Sequence, residues 1–252
     1  MRTQRSFRSE AVVLRHSDWG EADRLLVLFT RERGKARALA KGARKMRSRK
    51  AGHLEPFTRV SLQLAVGRDL LIVTQAETVD AYLALRADLV RTGYAGYVVE
   101  LIDRFTYEEE KTDASLYGLL IETLGRIASQ PDAWLSIRYF EIRLLDALGF
   151  RPKLFQCANC GQEIQPEDQY FSADQGGVLC RKCGPDLSGA WEVSLEALKY
   201  LRHFQRSNFN QVRQANPGKP VKIEVEELIQ RYFTYLLERE LKSPGFLRQI
   251  KR

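Results

Sequence analysis

The hydrophobic period of this chain changes once, near Ala81, and that change constrains the fold more than any other feature. Before it, apolar residues alternate with polar ones, as they must where successive side chains face opposite sides of a sheet. In "RVSLQLAV", Val60, Leu62, Leu64 and Val66 fall on one face at period two. "EAVVLRH", "DRLLVLFT", "KARALAK" and "LLIVTQAETV" read similarly, parted by Trp19-Gly20, Gly34 and Gly67-Arg68-Asp69. Five strands within residues 1–80 predict a small barrel. An OB-fold fits the strand count, and an SH3-like barrel fits the pattern almost as well.

Beyond Ala81 the spacing is helical. "AYLALRADLVRTGYAGYVVELIDRF", "DASLYGLLIETLGRIASQ" and "DAWLSIRYFEIRLLDALGF" lack regular alternation, and "TYEEEKTD" between the first two is a polar linker. In the third, Ile137, Phe140, Leu144 and Leu148 share a face, and Gly149 with Pro152 supplies a stop. Ser194 is placed to cap "SLEALKYLRHFQ". A final helix turns Val225, Leu228, Ile229, Tyr232, Phe233, Leu236, Leu237 and Leu241 to one side. Lys242 near its end suits the helix dipole, and Pro244-Gly245 is read as its terminator. The expected architecture is α+β and multidomain. Residues 1–80 form the barrel, 81–150 a first helical part, 151–190 a cysteine segment, and 191–252 the helices that complete the helical domain.

The cysteine segment carries its own chemistry. "CANC" at 157–160 and "CRKC" at 180–183 give two C-x2-C pairs separated by nineteen residues. That spacing matches a four-thiolate zinc site formed by Cys157, Cys160, Cys180 and Cys183. Two residues between cysteines let one tight turn aim both sulfurs at one ion, and two such turns complete a tetrahedron. Gly161 and Gly184 follow the pairs and ease the turns, and "FSADQGGVLC" reads as a hairpin turning at Gly176-Gly177. Four thiolates leave no open coordination position, so one structural Zn2+ per chain is expected rather than a catalytic one.

Charge is concentrated elsewhere. Residues 31–50 hold ten Lys and Arg against one Glu, a net of +9, while the whole chain carries +8. The other 232 residues are therefore close to neutral, near −1. Lys35, Arg37 and Lys41 are expected to line an outward barrel face. Arg44, Lys45, Arg47, Arg49 and Lys50 lie on what reads as a flexible arm leaving it. A basic platform with a basic arm is suited to a sugar-phosphate backbone, and Arg2, Arg5, Arg8 and Arg15 extend the footprint. Candidate base stackers are few: Phe7, Trp19, Phe29 and Phe57, with a barrel-core role expected for Phe29. Much charge and few stackers predict binding that is tolerant of sequence and weakened by salt.

Parts for catalysis are missing. His16, His53 and His203 stand alone, and no H-E-x-x-H, G-x-x-x-x-G-K-[ST], G-x-S-x-G or G-x-G-x-x-G occurs. Asp18, Glu21 and Asp23 form a small acidic cluster that would serve only a nuclease reading. The chain is read as no enzyme. It shows neither a membrane span nor a signal peptide.

The residues also carry a resemblance. "VVLR…GEADRLLVLFT", "RGK", "AKGARK…SR" and "LEPF" resemble the N-terminus of the bacterial recombination mediator RecO family. "ADLVRTGYAGYVVELIDRF" and "FEIRLLDALGF" are similar to its helical domain, and "CANCG…FSADQGGVLCRKC" to the zinc segment of many members. The resemblance implies an N-terminal five-stranded OB-fold β-barrel and an α-helical C-terminal domain with an inserted four-cysteine zinc finger. It implies binding to single- and double-stranded DNA, annealing of complementary strands, and a complex with RecR. It also implies contact with the acidic tail of single-stranded-DNA-binding protein, and help in loading RecA, in the cytoplasm with the nucleoid. The DNA role carries over to Lys35, Arg37, Lys41, Arg44, Lys45, Arg47, Arg49 and Lys50. Arg104, Arg126, Arg138 and Arg143 are candidates for the acidic tail. The rival readings are an RNA- or ribosome-associated OB-fold protein and a zinc-ribbon transcription factor. The latter has only Arg181 and Lys182 for a recognition element beside its cysteines.

Overall fold

A computed structural model describes residues 6–108, 114–238 and 241–250; Arg2 and Arg5 of the expected basic footprint lie outside them. The chain divides into two compact units. One runs to Ala133 and takes in the last helix, and the other is Trp134–Leu241.

In the first unit, β1 (Ser6–Trp19), β2 (Asp23–Thr30), β3 (Gly34–Ala40), β4 (Arg59–Val66) and β5 (Leu71–Asp80) form a closed barrel in the order β1-β2-β3-β5-β4. Every pairing is antiparallel except β3–β5, which is parallel and only two residue pairs long, Ala38↔Leu71 and Leu39↔Ile72. β1 serves two neighbours. Its first half pairs with β4 and its second with β2, and a register shift between Val13 and Arg15 marks the bend. Inside, Leu26 and Leu28 on β2 meet Ala38 and Ala40 on β3, large against small, together with Val60, Leu62 and Leu64. Val66 does not join that row; it sits at the strand end and is exposed.

Phe29 corrects an expectation. It follows Leu28 in the strand, so alternation turns it to the barrel's outer face. It is fully buried there, stacked on Tyr117 with ring centroids 6.5 Å apart. Helices α1 (Leu83–Ala87), α2 (Leu89–Phe105) and α3 (Ala114–Ser129) belong to this unit, and Tyr117 lies on α3. The Asp88 carboxylate caps α2 by accepting from the Arg91 N–H at 2.9 Å. Tyr117 Oη donates to Glu10 on β1 (2.9 Å), which also pairs with Arg59 (2.6 Å).

The second unit begins with α4 (Trp134–Ala147), ended by Gly149 at φ +79°. β6 (Gln169–Ser172), β7 (Gly177–Leu179) and β8 (Trp191–Val193) make a small antiparallel sheet in the order β7-β6-β8. Helices α5 (Leu195–Arg206), α6 (Phe209–Val212) and α7 (Lys219–Leu237) follow. Ser194 caps α5 as expected, its hydroxyl accepting from the Ala197 N–H at 3.1 Å. Arg138 on α4 is buried and paired with buried Glu141 at 2.8 Å, with Glu226 of α7 at 3.8 Å. Arg138→Ala removes the guanidinium that faces the buried Glu141 carboxylate. A loss of about 3–5 kcal/mol is expected in urea unfolding of the full chain.

The last helix departs from the reading of the sequence. α7 stops at Glu238, which takes φ +51°, and α8 (Lys242–Ile250) starts where a terminator was expected. Pro244 lies in the first turn of α8, where its missing N–H costs no helical bond. The Glu100 carboxylate on α2 accepts from the Lys242 and Ser243 N–H groups at 3.0 and 2.9 Å, capping α8 from a neighbouring helix. A Cβ on Gly93 of α2 would lie 2.7 Å from Leu247, so α8 packs against α2 and belongs to the first unit. The expected helical domain is therefore shared between the two units: α1–α3 and α8 go with the barrel, α4–α7 with the cysteines. Among the described residues no helix is long and apolar enough to cross a membrane.

Candidate nucleic-acid interface and metal centre

The chain leaves β3 at Gly42, which adopts φ +66° and donates its N–H to Asp23 Oδ1 at 2.7 Å. Ala43 then turns into the barrel core and is fully buried, as is Leu54 further on. Between them run successive turns, not a free arm. Two side chains fasten this loop to β5 beyond its two-residue pairing with β3. Lys50 Nζ donates to Val73 O (3.2 Å), and His53 Nδ1 accepts from the Thr78 N–H (3.2 Å). The Arg44 guanidinium folds onto the β1–β2 turn, reaching Asp18 (3.2 Å) and the carbonyls of Gly20 and Glu21. The acidic cluster at Asp18 and Asp23 thus holds the loop in place.

The eight expected cations divide into two groups. Lys41, Lys45, Arg47 and Arg49 are exposed, and among the described residues their side chains have no ion-pair or hydrogen-bond partner; Arg44 and Lys50 carry the contacts just given. Lys35 and Arg37 point outward as the alternation requires, but acids meet them. Lys35 is largely buried, pairs with Asp103 of α2 at 2.6 Å and donates to Thr106 O at 3.2 Å. Asp103 also binds Arg15 (2.9 Å), and Arg37 pairs with Glu108 (2.7 Å). Burial pushes the Asp103 carboxyl up, but Lys35 and Arg15 pull it further the other way, below the usual carboxylate range. Strand period shows which side Lys35 and Arg37 face; it does not show that the end of α2 covers that side.

The four arginines considered for an acidic tail also separate. Arg138 is buried in its ion pairs and is not on the surface. Arg126 pairs with Glu122 (2.6 Å) and Arg104 with Glu100 (3.5 Å), each one helical turn away. Arg143 also has a helical ion pair, with Asp146 at 3.8 Å, but it donates to Ser207 O (2.6 Å) and lies over the Tyr139 ring, 5.1 Å from its centre. Tyr139 in turn meets Phe209 edge-on at 5.4 Å.

In the second unit the two cysteine turns come together. The sulfurs of Cys157, Cys160, Cys180 and Cys183 all lie within 4.8 Å of one another. Among the described residues they are the group of three or more metal-capable side chains that converge. Cys160 and Cys180 Sγ are 3.8 Å apart. Thiolates about 2.3 Å from a zinc ion would have tetrahedral edges of about 3.8 Å, so this donor set fits that ion. Burial pushes the Cys157 thiol up, but the backbone N–H groups of Cys160, Cys180 and Asn159 outweigh it and hold it at about 6. At Cys183 a hydrogen bond from Asn159 favours the thiolate, yet the neighbouring cysteines outweigh it and raise the thiol to about 12. The Cys157 sulfur is ready to ionise and the Cys183 sulfur resists joining it, a conflict that a divalent cation resolves.

The glycines act as expected in part. Gly161 takes φ +74°, and Gly176 at φ +65° turns the β6–β7 hairpin. Gly184 serves another purpose: a Cβ there would lie 2.2 Å from the Tyr170 ring. The hairpin is tied to the first cysteine turn by Val178 N–H to Lys153 O (2.8 Å) and Ala158 N–H to Val178 O (2.8 Å).

Comparison with known proteins adds to this geometry. Residues 1–82 match the family model for recombination protein O N terminal, and residues 86–245 that for recombination protein O C terminal. The chain is 40% identical over 248 residues to a DNA repair protein RecO of Roseiflexus sp., covering 98% of this chain and 87% of that one. It is 39% identical over 251 residues to the DNA repair protein RecO of Desulforudis audaxviator, covering 98% of each. A Dehalococcoides mccartyi protein of the same name is 33% identical over 246 residues, covering 98% of this chain and 96% of its own.

Proposed function

The chain belongs to the recombination protein O family of DNA repair proteins, and from that premise we propose that it works as a recombination mediator without catalysing a bond change. It binds single- and double-stranded DNA through the basic loop and brings complementary strands together. With RecR it helps load RecA onto strands coated by single-stranded-DNA-binding protein, in the cytoplasm with the nucleoid.

The observation that carries this reading is the loop between Gly42 and Leu54. It holds Lys45, Arg47 and Arg49 in solvent without partners on a closed barrel, with Lys41 at its root. Cations that neutralise phosphates lower the repulsion between two strands, so complementary sequences meet more often. No nucleotide is consumed. The barrel is read as an OB-fold, whose strand order and five-strand count it shares. Arg44 and Lys50 hold the loop and border its charge. Lys35 and Arg37 contribute less, since Asp103 and Glu108 already neutralise them.

For the acidic, apolar tail of single-stranded-DNA-binding protein, Arg143 is the preferred contact. A cation beside the Tyr139 and Phe209 rings offers both a charge partner and an apolar surface. The four cysteines are read as a structural Zn2+ site. When bound, the ion supplies no reactive chemistry and fixes the two turns.

The test is annealing of two complementary DNA strands precoated with the cognate single-strand-binding protein, without nucleotide. Acceleration of duplex formation by this protein is expected. Binding to bare DNA with no effect on coated strands would overturn the mediator reading, and a matched RNA pair serves as the comparison arm.

A further inference from the structure

Within residues 6–80 the barrel has four aromatic side chains, and they occupy very different positions. Phe29 is fully buried against Tyr117. Phe7 packs against the barrel core, with the Arg33 guanidinium 3.7 Å from its ring centre. Phe57 is half-buried at φ +68°, its N–H bonded to Val13 O at 2.8 Å. Trp19 alone is more than half exposed, at 52%. It ends β1, opposite Asp23, where Gly20 at φ +55° turns the chain into β2.

Its neighbours are those of the proposed DNA grip. Arg44, the first cation beyond β3 and Lys41, is bonded to residues on both sides of Trp19: Asp18 before it, Gly20 and Glu21 after it. Strand register also places Trp19 on the outer face. Trp19 pairs with Asp23, and two residues along Ser17 pairs with Leu25, which pairs with Leu39, which pairs with Ile72. Leu25, Leu39 and Ile72 are only partly buried, so an apolar strip crosses three strands one register step along the outer face from Trp19. A solvent-exposed indole, an apolar strip and unpartnered cations along one edge offer both things an unpaired strand presents: flat bases and phosphates.

We infer that Trp19 is a base-stacking residue that gives this protein its preference for unpaired DNA over duplex. The inference rests on the DNA-binding function proposed above and goes beyond it. The loop cations cannot tell the two forms apart, because phosphate contacts carry no base information. An indole can, because bases in a duplex are already stacked on one another and those of a single strand are free.

The experiment uses the full-length chain with an oligo(dT) strand and a duplex of equal length. Binding is followed by anisotropy of labelled DNA and by intrinsic tryptophan fluorescence. The chain has three tryptophans; Trp134 is 5% exposed, and Trp191 packs 5.4 Å from Phe171. Quenching by oligo(dT) is therefore expected to come from Trp19. Trp19→Ala should weaken oligo(dT) binding roughly 5- to 150-fold, the range for losing one stacked base, and leave duplex affinity within about twofold. Trp19→Phe should keep most of the affinity and lose the quenching. Equal loss of both DNA forms in Trp19→Ala, or full quenching that persists in Trp19→Phe, would overturn the inference while leaving the DNA-binding function standing. Failure of the unmodified protein to bind either DNA would overturn that function itself, and the stacking role with it.

Discussion

Zinc removal is expected to unfold the cysteine turns and to leave the barrel intact. Four sulfurs within 4.8 Å cannot all carry charge unless a cation sits among them. A site of this kind is absent from an unfolded chain, so its binding free energy is also folding free energy. The hairpin of β6 and β7 pairs with three-residue β8 and packs Phe171 against Trp191 and Tyr232, but a sheet this small is marginal in water, and two of its backbone bonds run to the first cysteine segment. Chelation, or Cys157→Ser, should cost about 3 kcal/mol or more and lower the melting temperature of the second unit by about 10 °C or more. Hydrogen exchange should quicken at the amides of Cys157, Gly161, Cys180 and Cys183, and stay unchanged in β1–β5. Metal analysis should return one zinc per chain. A protein that carries none after gentle purification, and melts the same with and without chelator, would refute the site.

Charge reversal at Lys45, Arg47 and Arg49 is expected to abolish most DNA affinity without loss of stability. Among the described residues their charged ends have no ion-pair or hydrogen-bond partner, and the Lys45 stem lies beside Gly42, so the native state loses little contact. Each phosphate contact removed should lower the slope of log affinity against log salt by about 0.9 for duplex and about 0.7 for single strands. Three reversals should therefore flatten the slope by two or more and reduce affinity about 100-fold or more at moderate salt. Lys35→Ala is the counterpart. Lys35 is tied to Asp103 and Thr106 O, so its loss should appear in stability more than in binding. If Lys35→Ala reduces DNA affinity as strongly as the triple reversal, the basic loop is not the principal grip.

The comparison of these two variants reflects what a sequence can and cannot display. Alternation placed the five strands and the outward direction of Lys35 and Arg37, because period two is a local property of the chain. It could not reveal Asp103 and Glu108, which arrive from the last turn of α2 and from just past its end, 68 and 71 residues later in the chain. The same limit explains Phe29. Its strand and the helix that carries Tyr117 were both evident, but not that this helix covers the barrel's outer face. The cysteines were legible because the spacing itself carries the coordination geometry. Gly184 was noticed for its place after Cys183, yet the cause is the ring of Tyr170. At α8, the Pro244-Gly245 pair reads in sequence as a stop. A proline in a first turn resembles one after a last turn, and only the capping by Glu100 separates them.

The anchoring of the basic loop has a thermodynamic consequence. Ala43 and Leu54 bury their side chains in the barrel, and Lys50 and His53 hold on to the β5 backbone. A disordered arm would surrender conformational freedom on meeting a phosphodiester, and that loss would cancel part of the gain from counterion release. Here the freedom has already been given up when the barrel folds. On the proposed DNA-binding reading the loop backbone would then add little to the cost of binding, and the entropy of the released ions would be offset mainly by ordering the side chains of Lys45, Arg47 and Arg49.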